Sequence, residues 1–318
     1  MIDAGPVTPD DIDRAWTVIG DHVRVTPVIE VAAGELGAPA ATVPKLELLQ
    51  HTGSFKPRGA FHTVLTANVP AAGLVAASGG NHGAAVAHVA RRLGLAAEVF
   101  VPSTSPALKR ERIAALGATV HVIDGYYDQA QRMADERALE TGALKVHPYD
   151  SRVVVAGQGT MARELERQIG AVDTLLVATG GGGFVAGQAA WFAGRTKVIS
   201  VEPATSQCLR AALAAGAPVD VEVAGIAADS LGTARIGAVP WEVVRRHVHD
   251  AVVVDDDEIR AAQRAIYDGL RLIAEPGGAA ALAALRSGAY VPAAGERVAV
   301  AVCGANCDPS SVLSSPTG

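Results

Sequence analysis

Residues 52–60 read TGSFKPRGA, which places one lysine, Lys56, among small, turn-forming residues where its amine can stay reachable. Proline is favoured at the first position of a helix, so Pro57 indicates that a helix begins here. A lysine in such a place can form an imine with a carbonyl compound, and it can act as a base once it is released. The alternative from these residues alone is a solvated surface lysine at a helix start.

Three further segments combine small residues with polar groups, and each follows a short apolar run. They are SGGNHG at 78–83, GGGG at 180–183 and CGAN at 303–306. Apolar runs such as 97–101, 174–178 and 197–201 alternate with helical patterns such as 84–93. This alternation predicts an α/β protein with parallel sheets, in which the polar segments are turns after strands.

The glycine run at 180–183 precedes a helical pattern over 184–193, so its backbone amides can converge on an anion at a helix amino terminus. This pattern predicts a phosphate site. A dinucleotide-binding turn is the alternative, because 181–186 fit the glycine fingerprint with alanine last and Glu202 lies about 20 residues further on. That alternative predicts a dinucleotide-dependent oxidoreductase, but it leaves the segments around Lys56 and Asn81 without a role.

Together the four segments resemble the serine/threonine dehydratase and serine racemase family, which are pyridoxal-phosphate enzymes of fold type II, the tryptophan synthase β type. The resemblance runs from TPV at 26–28 to CGAN at 303–306, with the motifs in the family's order. It implies pyridoxal 5'-phosphate as cofactor and two domains, each a mostly parallel twisted sheet flanked by helices. The predicted smaller α/β domain spans 69–147, and the larger, cofactor-binding domain combines 1–68 with 148–318.

The resemblance also implies roles for residues of the motifs. Lys56 would hold the cofactor as an imine and take the α-proton of the substrate, with Phe55 packed beside the ring. Asn81 would bond the ring hydroxyl, and Cys303 would face the pyridine nitrogen as a neutral group, which suits β-elimination. Taken singly, Phe55 and Cys303 are equally residues of a core. The phosphate would lie on the glycine turn, formed by Gly180, Gly181, Gly182 and Gly183.

In this family the turn at 78–82 also grips the substrate carboxylate. Tyr149, in HPYD at 147–150, resembles an aromatic residue near the substrate side chain, and Glu275, in EPGGA at 275–279, either lies near the cofactor or caps a helix. A helix cap, a structural histidine and a core tyrosine are the alternatives for the turn, for His82 and for Tyr149. The predicted substrate-binding residues are Ser78, Gly79, Gly80, Asn81, His82 and Tyr149.

The implied activity is an ammonia-lyase that converts L-threonine or L-serine by β-elimination into 2-oxobutyrate or pyruvate plus ammonia. A serine racemase, or a dehydratase of another β-hydroxy amino acid such as 3-hydroxyaspartate, is the alternative within the family. Mammalian-type serine racemases carry a second serine where this chain has Gly79, so we expect elimination without efficient racemisation. Some relatives bind a divalent cation through a glutamate and an aspartate at the spacing of Glu202 and Cys208. A thiol is a poor ligand for such a cation, so Glu202 is only a candidate and no metal site is predicted.

Composition restricts the partners and the compartment. The chain has 318 residues, a formal net charge of −6 and no cluster of lysine and arginine, which argues against nucleic acid. No uncharged apolar run approaches the roughly 18 residues that span a bilayer, and residues 1–6 lack the features of a secretory signal. Three cysteines at scattered positions indicate a reducing compartment. We therefore expect a cytoplasmic enzyme with a small amino-acid substrate and no carboxy-terminal regulatory domain, and a homodimer by the family's habit.

Overall fold

The computed structural model describes residues 5–313. Residues 1–4, part of the segment that lacks the features of a secretory signal, lie outside the described part. Residues 314–318 of the predicted larger domain lie outside it as well. Three one-turn helices lie at Glu35–Gly37, Glu47–Leu49 and His51–Gly53. The α-helices of the described part are α1 (Pro9–Ile19), α2 (Lys56–Thr66), α3 (Asn81–Leu93), α4 (Ala107–Ala115), α5 (Tyr127–Thr141), α6 (Arg152–Ile169), α7 (Gly183–Phe192), α8 (Cys208–Ala215), α9 (Ala228–Leu231), α10 (Ala238–His247), α11 (Asp256–Leu270), α12 (Pro276–Ser287) and α13 (Pro309–Leu313).

The strands form two sheets. Their bounds are β1 (Thr42–Lys45), β2 (Leu74–Ala77), β3 (Ala97–Pro102), β4 (Thr119–Ile123), β5 (Leu144–Lys145), β6 (Thr174–Ala178), β7 (Lys197–Pro203), β8 (Val248–Val254) and β9 (Val298–Ala301). One sheet has the order β1-β9-β6-β7-β8 and the other the order β4-β3-β2-β5. Neighbouring strands pair in parallel in both sheets. The predicted α/β class with parallel sheets is therefore confirmed.

The predicted elements agree with the observed ones most closely where the apolar run is long. The run at 174–178 is β6, every residue of which is buried, and the helical pattern at 184–193 is α7 shifted by one residue. The pattern at 84–93 is part of α3, which begins earlier, at Asn81. The polar turn after β2 thus supplies the first turn of the helix, and hydrophobic periodicity alone does not detect a polar helix start.

Two glycines let α2 and α6 approach closely. A Cβ added to Gly157 on α6 would lie 2.8 Å from the Cα of Gly59 and 2.8 Å from the carbonyl oxygen of Arg58, both on α2. A side chain at Gly157 would therefore push the helices apart. The crossing brings the first residue of α2, Lys56, next to the segment that leads into α6.

The carboxyl ends of three strands lead into the motifs that the sequence analysis identified. β2 is followed by Ser78, β6 by the glycine turn and β9, after one intervening residue, by Cys303. Sites in sheets of parallel strands lie beyond these carboxyl ends, so the candidate site is expected there. Among residues 5–313, the helices are too short or too polar to cross a membrane.

Candidate active site

Lys56 begins α2, and its ammonium donates a hydrogen bond to the carbonyl oxygen of Pro148 at 2.9 Å. Burial removes hydration from this charge and lowers the pKa of Lys56 from 10.5 to about 8, although Cys303 and Glu275 oppose the shift. More of such an amine is unprotonated near neutral pH than of an ordinary lysine, as a nucleophile or a base requires. These surroundings do not match the solvated surface lysine that the sequence left as an alternative.

The backbone of Phe55, the residue before this lysine, is hydrogen-bonded to Cys303. The ring of Phe55 stacks on Phe184 in α7, with centroids 3.9 Å apart, and its amide donates to the carbonyl oxygen of Cys303 at 3.2 Å. The Cys303 side chain is 3% exposed, and its thiol donates to the carbonyl oxygen of Gly277 at 3.4 Å. Burial raises the pKa of Cys303, so the group is a neutral thiol.

The glycine turn connects β6 to the buried helix α7. Within residues 5–313, no protein group accepts a hydrogen bond from the amides of Gly180, Gly181, Gly182 or Gly183. Gly182 has a φ of 89°, a left-handed conformation that glycine adopts without strain. Free amides at the start of a helix attract an anion, and the turn therefore has the features of a phosphate site.

Tyr149 packs against this turn. A Cβ added to Gly181 would lie 2.6 Å from the Tyr149 ring, and one added to Gly183 would lie 2.8 Å from its carbonyl oxygen. Burial raises the pKa of Tyr149 to about 12, so the phenol is neutral. Tyr149 follows Pro148, the acceptor of the Lys56 ammonium, and the segment therefore contacts both the lysine and the glycine turn. A contact of Tyr149 with the substrate stays a prediction.

The side chain of Asn81 is bonded at both of its polar atoms. Its amide nitrogen donates to Glu275 Oε1 at 2.6 Å, and its amide oxygen accepts from the side chain of Asn306. Glu275 also accepts from the backbone amide of Asn306 at 3.2 Å, and burial raises its pKa. Glu275 occupies the N-cap position of α12, but its carboxylate makes no capping bond to the first turn of that helix. Glu275 was not among the predicted site residues, although its place after an apolar segment and before Pro276 was a signal.

The turn after β2 is tightly built. Ser78 Oγ accepts from the amide of Gly80 at 3.2 Å, and no side chain caps the start of α3. His82 Nε2 lies 2.8 Å from the carbonyl oxygen of Val146, so this nitrogen carries the proton. Burial and the nearby Lys56 lower the pKa of His82 to about 3 and keep the ring neutral. These contacts support the structural interpretation of His82, and its predicted contact with the substrate is untested.

Glu202 is fully buried at the end of β7. Its carboxylate accepts from the amides of Leu209 and Arg210 at 2.7 and 2.8 Å, at the start of α8, and burial raises its pKa to about 7. The Cys208 thiol donates to the carbonyl oxygen of Gly180 at 3.2 Å. Because Glu202 is engaged by a helix start, it is not free to bind the ribose that the dinucleotide alternative requires. Among residues 5–313 there is no group of three His, Cys, Asp or Glu residues that could hold a metal ion.

Known proteins resemble this chain over most of its length. Residues 19–304 match the family model described as pyridoxal-phosphate dependent enzyme. The biosynthetic L-threonine dehydratase of Haemophilus influenzae is 37% identical over 270 residues, which are 82% of this chain and 52% of that protein, so this chain spans about half of its length. The phenylserine dehydratase of Ralstonia pickettii is 37% identical over 294 residues, covering 90% of this chain and 89% of that protein. The solved structure of maize serine racemase superposes with a TM-score of 0.90 at 31% identity and covers 96% of both chains.

The residues at the carboxyl ends of β2, β6 and β9 fit the cofactor of this family. Four amides without a protein acceptor suit its phosphate group, and the Lys56 amine suits its aldehyde. The structural neighbours confirm the predicted fold type, and the family match supports pyridoxal phosphate over the dinucleotide alternative. The family match over residues 19–304 and the site chemistry agree: the chain belongs to the family of pyridoxal-phosphate dependent enzymes, and pyridoxal 5'-phosphate is its cofactor.

Proposed function

We propose that this protein is an ammonia-lyase that acts on β-hydroxy amino acids, with L-threonine and L-serine as the first candidates, and releases an oxo acid and ammonia. The observation that carries the proposal is the Lys56 amine, which is held at the Pro148 carbonyl with its pKa lowered to about 8. The names of two similar proteins, a threonine dehydratase and a phenylserine dehydratase, support the same reaction type.

Pyridoxal phosphate, when bound, supplies an electron sink that makes the α-proton of an amino acid acidic. The protein's own part begins with positioning: the amides of Gly180 to Gly183 bind the phosphate, and Lys56 anchors the aldehyde end. When its amine is free, Lys56 would take the α-proton of the substrate, which its lowered pKa permits near neutral pH. Proximity then supplies much of the rate, because the base does not have to diffuse to its proton.

Cys303 would offer the pyridine nitrogen of the cofactor a neutral partner. Burial raises the pKa of its thiol and keeps the thiol from becoming a charged group. A neutral partner disfavours a long-lived carbanion, so loss of the β-hydroxyl should accompany loss of the α-proton. In this proposal the substrate carboxylate is bound by the turn after β2, formed by Ser78, Gly79, Gly80, Asn81 and His82. Tyr149 lies near the substrate side chain, and Phe55 lies beside the cofactor ring.

Serine racemase is the second candidate, because the maize serine racemase structure matches 96% of the chain. Gly79 argues against efficient racemisation, since it offers no hydroxyl opposite Lys56. We also propose the division into a smaller domain at 69–147 and a larger domain from the flanking segments, a homodimer and a cytoplasmic location. The domain division and the homodimer rest on the family resemblance, and the cytoplasmic location rests on the composition of the sequence.

The experiment is a visible absorption spectrum of the purified protein during additions of L-threonine or L-serine, with oxo acid quantified and D-serine followed by chiral chromatography. Wild type should be yellow and release oxo acid with little D-serine. The Lys56→Ala variant should lose covalent cofactor and nearly all turnover, whereas Lys197→Ala, at a partly exposed lysine paired with Glu296, should behave as wild type. Wild-type turnover in Lys56→Ala would refute the assignment, and D-serine as the main product would favour the racemase.

A further inference from the structure

Four charged side chains form a buried ionic cluster: Lys45, Glu47, Arg58 and Glu164. Lys45, Glu47 and Arg58 are 0% exposed and Glu164 is 4% exposed. Two cations and two carboxylates balance, which a buried site requires because unpaired charges are strongly destabilising away from water. None of the steps proposed for the reaction uses this cluster, although Arg58 is only two residues from Lys56.

Arg58 makes the central contacts of the cluster. Its Nε and one terminal nitrogen donate to the two oxygens of Glu47, each at 2.7 Å, and the same terminal nitrogen donates to Glu164 at 2.9 Å. Its other terminal nitrogen donates to the Thr160 hydroxyl at 3.3 Å. A planar guanidinium that bonds a carboxylate at two points fixes the orientation of the carboxylate as well as its distance, whereas an ammonium does not fix the orientation. Lys45 completes the cluster through an ion pair with Glu164.

The cluster joins the segments that carry the candidate site. Arg58 lies in the first turn of α2, after Lys56, whereas Glu164 lies on α6, the helix that follows Pro148. Glu47 lies in the one-turn helix Glu47–Leu49, and on both sides of it the backbone pairs with the segment that leads to Cys303. There the Lys45 carbonyl accepts from the Val302 amide, and the Leu48 amide donates to the Val302 carbonyl, each at 2.9 Å.

We propose that Arg58 is a positioning residue: by holding Glu47 and Glu164 together, it fixes the Lys56 amine relative to Cys303 and the Pro148 carbonyl. The inference rests on the proposed role of Lys56. Water cannot take the place of any of these contacts because the cluster is closed to solvent. A shift in the first turn of α2 therefore moves the lysine, while the rest of both sheets stays in place.

The test compares Arg58→Lys, which keeps the charge but loses the two-point contact with Glu47, with a control of matched destabilisation. Leu165→Ala is that control, since Leu165 follows Glu164 on α6, is 0% exposed and takes no part in the cluster. The first readout is the pH dependence with which the Lys56 amine of cofactor-free protein reacts with an acylating reagent, followed by mass spectrometry. The second is the circular dichroism of the visible band of the holoenzyme, which reports the orientation of the cofactor.

In Arg58→Lys the amine should become more hydrated, so its pKa should rise from about 8 toward the usual lysine range, and the visible dichroism should change. We expect kcat to fall about 100-fold with a smaller change in KM, as for a displaced catalytic group. Leu165→Ala should lower the melting temperature without either spectroscopic or pKa change. If Arg58→Lys does not fold, Glu47→Asp provides the same test, because it keeps every charge but shortens the side chain and so weakens its two-point contact with Arg58.

Equal pKa and dichroism changes in Leu165→Ala would overturn the proposal, because general loosening would then explain them. Unchanged values in a folded Arg58→Lys or Glu47→Asp would overturn it as well. The reactivity of the amine is measured without cofactor or substrate, so this outcome is independent of the proposed lyase activity. That activity fails separately, if holoenzyme releases no oxo acid from any β-hydroxy amino acid.

Discussion

Replacing Gly181 by alanine should weaken cofactor binding through Tyr149. The added Cβ would lie 2.6 Å from the Tyr149 ring, well inside van der Waals contact, and Gly181 has no positive φ that would add backbone strain. The methyl group must displace either the ring or the glycine turn, and a shift of the turn also moves the amides proposed to bind the cofactor phosphate. Overpacking of this kind costs about 1–3 kcal/mol, which corresponds to about 5- to 140-fold weaker binding of pyridoxal phosphate.

The assay is titration of cofactor-free protein with pyridoxal phosphate, followed by the visible band. A double-mutant cycle identifies the cause, because Tyr149→Ala removes the ring that the methyl group would strike. Gly181→Ala should therefore cost much less in the Tyr149→Ala background than in wild type. The same loss in both backgrounds would refute the steric reasoning and would indicate that the methyl group acts on the phosphate directly.

Three further predictions concern two buried groups that can lose a proton, Glu202 and Cys303. Glu202 has a pKa raised from 4.5 to about 7, so the folded state binds a proton that the unfolded state releases, and this contribution to stability is lost as pH rises through that window. Glu202→Gln removes the titration, and its melting temperature relative to wild type should therefore increase between about pH 5 and about pH 8; a constant difference would contradict the raised pKa. Cys303→Ser should keep turnover within about tenfold because both groups are neutral. Cys303→Asp should lower the free energy of unfolding by roughly 3–5 kcal/mol, measured by chemical denaturation, because it buries a carboxylate near Glu275, and a wild-type denaturation curve would contradict the buried position.

Local pattern was sufficient to predict strands such as β3, β6 and β7, the turns that follow them and the parallel sheets, because periodicity and glycine positions are encoded in neighbouring residues. Short strands such as β1 and β5 were not predicted. The assignment of Lys56 and the glycine turn to the cofactor depends on the family resemblance as well as on adjacent residues, and it stays a prediction. The order of the strands in each sheet depends on packing between residues far apart in sequence, so local sequence patterns do not predict it. The start of α3 was not predicted for a related reason, since Asn81 is polar and its hydrogen-bond partners lie far along the chain.

The residues that hold the site in place were not predicted, and their contacts explain why. Arg58 meets Glu164 across more than a hundred positions of sequence, and Asn81 meets Glu275 across still more. A single arginine or glutamate in a sequence is interpreted as a solvated surface residue, because charged side chains are almost never fully buried unless they are paired. Only the fold shows the pairing, and with it the reason that Lys45 and Arg58 lie away from water.

Position 79 shows how such packing bears on the choice between elimination and racemisation. Racemisation needs a group that returns a proton on the face opposite Lys56, and the resemblance to mammalian-type serine racemases implies a hydroxyl at position 79 for that role. In this chain a Cβ at Gly79 would lie 2.0 Å from Ser105 Oγ and 2.9 Å from a methyl carbon of Val101. A serine at position 79 would therefore clash with Ser105, which follows β3. The packing leaves no room for that hydroxyl as long as Ser105 keeps its present place. Without it, position 79 offers no proton donor on the opposite face, which supports the proposed elimination over racemisation.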